Sequence, residues 1–114
     1  MTDRELLELA AKAAGIEVRR WLPDGRPQVR CDTHQLGPIW NPLTDDGDAL
    51  RLAVKLGIGF WVGSFIAYCS WYTEGENPFT EGMAQLAEKI VNDDPYAATR
   101  RAIVRAAAEI GSKP

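Results

Sequence analysis

Sulfur and imidazole chemistry in this 114-residue chain rests on three residues, Cys31, His34 and Cys69. Cys31 and His34 are the types needed for a thiolate–imidazole nucleophile, or, with Cys69, for a metal ion. A structural zinc site takes four ligands, and only by adding Asp32 does this set reach four. A buried thiol and a solvated loop histidine are the simpler reading, so no metal, cofactor or catalytic centre is expected. Asp45-Asp46-Gly47-Asp48 resembles the start of a calcium loop, but the later glutamate that would chelate the ion is absent. A helix begins there, and these acids suit its N-terminus. Gly57-Ile58-Gly59 follows a helix and not a strand, the reverse of the dinucleotide-binding order.

Two further groups bear on binding. Arg100, Arg101 and Arg105 fall on one helix and could hold phosphate or an acidic partner. Arg101 and Arg105 share a face, with Glu109 one turn on as their expected ion-pair partner. Arg19 and Arg20 are the residues that would complete a basic pocket. The aromatic group is Trp40, Trp61, Trp71 and Tyr72. Trp40 is expected to pack beside the second helix. Trp61, Trp71 and Tyr72 lie on adjacent predicted strands and are the candidate interaction residues, together with the three arginines.

The elements that must position these groups are legible from periodicity and caps. Thr2 and Glu5 form a capping-box pair opening a helix over 3–14, which Gly15 stops. Residues 16–21 and 28–31 alternate on either side of the turn Pro23-Asp24-Gly25, predicting a hairpin. Thr44 or Asp46 is expected to cap a second helix, with Ala49, Leu52, Ala53 and Leu56 inward and Gly57 ending it. Two antiparallel strands follow, at 58–62 and 65–72, around Gly63-Ser64. Phe65, Ala67, Cys69 and Trp71 share one face of the second strand; Ile66, Tyr68, Ser70 and Tyr72 share the other. Both faces are apolar, which calls for cover on both sides or a partner on one. The spacing of Met83, Leu86, Ala87 and Ile90 predicts a helix over 80–91. Asp94 and Pro95 open the last helix, with Gly111 as its stop. The predicted class is α+β, a small antiparallel sheet covered by helices in the manner of an α/β/α sandwich.

Composition bounds the function. Hydrophobic residues at 46% and charged residues at 25% argue against disorder and for one domain. A net charge of −3 removes any general attraction to nucleic acid or anionic membrane. The charge is uneven: six acids and only Lys89 lie between Glu74 and Asp94. The apolar run Ile58–Tyr72 is about fifteen residues, short of the roughly twenty that span a bilayer. Residues 1–14 carry charges throughout and lack the core of a signal peptide, so free thiols in the cytosol are expected.

Trp40-Asn41-Pro42, the helix Asp45–Leu56 and the helix Asp94–Ala107, with Leu6–Ala10, resemble the small bacteriophage proteins grouped as the phage ABA sandwich domain. The resemblance covers most of the chain from residue 40 onward. It implies a fold and a phage or prophage origin, and it carries no catalytic residues. The heavy aromatic content of 60–72 departs from that pattern. The expected function is therefore a non-enzymatic phage accessory protein binding a host or phage protein in the host cytoplasm, with defence interference as one form and a homodimer as a further expectation. The alternative expectation is a binding module for an anionic nucleotide, using the C-terminal arginines.

Overall fold

The computed structural model describes residues 1–30, 37–73 and 82–113. Cys31 and His34 lie outside the described residues, as does the start of the acidic stretch at Glu74.

Helix α1 (Asp3–Ala14) begins where Thr2 Oγ1 accepts the Glu5 amide at 3.1 Å and ends at Gly15, whose φ of 69° is the left-handed geometry of a C-terminal cap. Its buried stripe is Leu6, Leu7, Ala10, Ala11 and Ala14. Strands β1 (Val18–Trp21) and β2 (Pro27–Val29) pair antiparallel around the predicted turn. The Arg4 guanidinium lies 4.6 Å from the centroid of a Trp21 ring, tying this hairpin to α1. Trp40 is buried, as expected.

Helix α2 (Asp46–Leu56) is capped by Asp45, which accepts the Asp48 amide at 2.8 Å, and not by Thr44 or Asp46. Thr44 instead closes the preceding turn, its amide donating to the Asn41 carbonyl. Asp48 turns its carboxylate to the Asn41 amide, 3.0 Å away. The acids are thus occupied as helix and loop caps. Ala49, Leu52 and Ala53 are buried as predicted, whereas Leu50 and Val54 are exposed.

Strands β3 (Gly59–Val62), β4 (Ile66–Thr73) and β5 (Gly82–Lys89) form one antiparallel sheet in that order. The helix predicted over 80–91 is this third strand. Met83, Ala84, Gln85, Leu86, Glu88 and Lys89 are good helix formers, and their propensity is overridden by an eight-residue ladder with β4. The spacing of Met83, Leu86 and Ala87, one apolar stripe on a helix, is split between the two faces of a strand.

Helix α3 (Pro95–Gly111) starts at Asp94, which accepts the Ala97 amide at 3.0 Å, with Pro95 in its first turn. It packs against α1, α2 and all three strands of the larger sheet. That central position buries it over a wide arc, from Ala98 to Gly111. Tyr96, in the first turn of α3, is exposed. The class is α+β: the described residues form three helices and two small antiparallel sheets. Of the two fates foreseen for a sheet apolar on both faces, helices cover one face, and nothing among the described residues packs on the other.

Each acidic cap satisfies an amide that the helix itself leaves unpaired. Asp45→Ala and Asp94→Ala are each expected to lower stability by about 1 kcal/mol in urea unfolding. Gly15→Ala tests the opposite end, and its loss arises only from the left-handed φ because the space beside it is open.

Candidate functional site

The open face of the larger sheet is built from alternate residues of three strands. Register places Trp61, Tyr68 and Ala87 in one row across the sheet, Tyr72 and Met83 in a second, and Ile66 and Lys89 in a third. Trp61 is 62% exposed and Tyr72 76%, with Met83 and Ile66 also solvent-facing. The Trp61 indole lies along its strand over Gly63, where a Cβ would come within 3.0 Å of Cη2. Glycine at 63 therefore gives the ring its seat. Lys89 is the one charged residue that the described strands place on this face. Such a concentration of aromatic surface on a rigid, regular scaffold is unusual for a face left to water.

The opposite face explains why the three candidate aromatics do not act together. Trp71 is 4% exposed and lies with Ala67 and Cys69 against the helices, so it belongs to the core and not to a binding face. Trp61 and Tyr72 share the open side. The sequence singled out all three because both faces of β4 are apolar. The residues it missed are those of β5, chiefly Met83 and Ala87, whose exposure follows from the strand geometry that replaced the predicted helix.

Burial in this core pushes the Cys69 thiol up from 9.0 to about 11. The thiol stays protonated in the folded state up to that pH, whereas in the unfolded chain it ionises near 9. The sign follows: its contribution to stability is intact below pH 9 and is lost as pH rises from 9 towards 11. In a Cys31→Ser background, Cys69 is expected to resist Ellman's reagent at about pH 8 and to react promptly in guanidinium. Fast labelling of the folded protein would contradict this burial.

The three candidate arginines are each engaged with a carboxylate. Arg100 donates to Asp46 at 2.7 Å and to the Leu43 carbonyl at 2.8 Å, binding α3 to the start of α2. Arg105 pairs with Glu88 on β5 and not with Glu109, because Glu88 projects from the sheet's inner face directly toward α3. Arg101 reaches Asp3 at 3.1 Å and Glu88 at 3.7 Å. Arg19 and Arg20 pair within the hairpin region, with Glu17 and Gln28. An anion at α3 would have to displace Asp46, Asp3 or Glu88.

A cavity of about 320 Å³ opens between α2, α3 and the outer edge of β3. Leu50, Phe60, Val62, Tyr96 and Ile103 line it, and its only charges are the mutually paired Asp46 and Arg100. Among the described residues no group of three His, Cys, Asp or Glu side chains is placed to hold a metal ion. No described helix is long and apolar enough to cross a membrane. In comparisons with known proteins, no family model, no curated protein and no solved structure matches this chain.

Proposed function

We propose that this chain is a non-enzymatic binding module whose partner is a protein, docking on the open face of β3–β5. The observation that carries the reading is the coplanar set Trp61, Tyr68, Ile66, Tyr72 and Met83, uncovered by any described element. Tryptophan and tyrosine dominate interface energetics because they bury much area with few rotors to freeze. Here the sheet fixes their backbone before the partner arrives, which lowers the ordering cost of association. The matching surface on the partner is flat, apolar opposite Trp61, Tyr68, Tyr72 and Met83, polar opposite Ser70 and Gln85 between them, and bears a carboxylate opposite Lys89.

The likeness to small phage proteins supports a host or phage protein as that partner, met in the host cytoplasm. Blocking a defence or regulatory protein is one way for such a module to act. The alternative, an anionic nucleotide held by α3, draws less support from arginines already paired with carboxylates.

Trp61→Ser combined with Tyr72→Ser tests the face without touching the core. A partner captured from host lysate by the wild-type chain is expected to fall at least about tenfold with the double variant, the cost of a single aromatic anchor. Equal capture by both chains, or none by either, would rule the face out.

A further inference from the structure

We infer that the outer edge of β3 is a self-pairing edge, at which a second copy of this chain joins antiparallel about Trp61 to make one six-stranded sheet. The inference goes beyond the docking face, because it concerns the edge of the sheet and the cavity beneath it. The Gly63 amide donates to the Ile66 carbonyl at 2.9 Å, which marks that opposed pair as hydrogen-bonded. Opposed pairs in an antiparallel ladder alternate. Gly59 and Trp61 therefore bond to β4, and Phe60 and Val62 turn their N–H and C=O groups outward. No described element takes up those four groups, and β3 is the end strand of its sheet.

The other edge shows what guarding looks like. On β5, the outward Ala87 carbonyl accepts from Arg105 at 3.4 Å, and Lys89 adds a charge. Natural edges are blunted by such contacts, by proline or by charge. Gly59-Phe60-Trp61-Val62 has none of these.

The side chains favour a second copy over a foreign segment. Phe60 and Val62 present the outward hydrogen bonds and also line the 320 Å³ cavity. Two-fold pairing about Trp61 sets Phe60 of each copy opposite Val62 of the other. Four backbone bonds form, and each copy's apolar pair enters the other's cavity, the reciprocity of an isologous interface. Leu50, half-exposed on α2, lines that same cavity and would lie beneath the added strand. No like charges are opposed along Gly59–Val62. The exposed surface of Phe60, Val62, Leu50 and Tyr96 is on the order of 400 Å² per copy, to which the paired backbone adds, the size of a weak, micromolar interface and not of a permanent one. The pairing also merges two open faces into one broad aromatic surface.

Sedimentation of the full chain at concentrations up to about 100 µM, enough to populate a micromolar dimer, is expected to give twice the 12.6 kDa chain mass. Val62→Pro removes an outward N–H that β4 does not use, and is expected to give a monomer with unchanged circular dichroism. Leu50→Lys, at a half-exposed position of α2 that lines the cavity, is the second disruptor, with circular dichroism checking its fold. Trp61→Cys in a Cys31→Ser background tests register. At a non-hydrogen-bonded opposed pair the Cα atoms lie about 4.5 Å apart, within disulfide reach, so oxidation should yield a covalent dimer. A mass of one chain throughout would overturn the proposal, as would a dimer that survives both Leu50→Lys and Val62→Pro, or a failure of the Trp61→Cys chain to crosslink on oxidation. A monomeric result leaves the docking face standing, since Tyr72 and Met83 lie away from this edge.

Discussion

Gly111→Ala is expected to destabilise the fold by about 2–3 kcal/mol, read as a lower urea midpoint with an unchanged slope. The sign runs against helix propensity, which favours alanine over glycine by about 1 kcal/mol. Space decides the outcome. Gly111 sits in α3 where it crosses α1, and an added Cβ would come within 2.9 Å of the Leu9 carbonyl carbon, 3.2 Å of the Ala13 nitrogen, and closer still to the Leu9 oxygen. These are backbone atoms, so no side chain can swing aside. Either α1 moves off Ala106, Ala107 and Ala108, or the last turn of α3 peels away. Hydrogen exchange separates the two, since peeling exposes only the amides near Ile110. The same substitution at Gly57 meets open space and loses only the roughly 1–2 kcal/mol of its left-handed φ. A Gly111→Ala protein as stable as the wild type would mean that α1 is not seated against α3 as described.

The contrast between these glycines shows what a sequence discloses. Gly15 and Gly57 are readable as helix ends because a cap depends on a few neighbouring residues. Thr2, Asp94 and Pro95 are readable for the same reason. Gly111 has the same local signature, yet it lies within the last turn of α3, with Ser112 as the cap. Its role is a close crossing with α1, at the other end of the chain. The segment Gly82–Lys89 fails in the same way. Its residues favour a helix, and only the ladder with β4 makes it a strand. Glu88, facing the core side, looks out of place in a strand pattern until Arg101 and Arg105 arrive from α3. Likewise Glu109 is the near partner for Arg105 in sequence, and Glu88 across the sheet is the one that it meets. Non-local pairing leaves no local mark, and the open face is a product of that pairing.

Trp71→Ala is expected to lower stability by about 3–5 kcal/mol, enough to leave a marginal domain largely unfolded, whereas Trp61→Ala should leave the unfolding midpoint nearly unchanged. The residues lie on neighbouring strands, have the same side chain and are equal candidates in the sequence. Their difference is one of parity. Trp71 shares the inward face with Ala67 and Cys69, both fully buried, and fills the space above α3. Removing it leaves a large cavity in the core, whose cost adds to that of the lost burial. Trp61 is 62% exposed and lies over Gly63, so its removal strips little buried contact. The losses are expected to reverse for binding, where Trp61→Ala weakens the partner and Trp71 matters only through the fold. A larger stability loss for Trp61→Ala than for Trp71→Ala would show that the sheet faces the helices with its other side, and the docking face would then be assigned to the wrong residues. Because parity along β4 is fixed by its ladders with both neighbours, this pair of substitutions tests fold and function together.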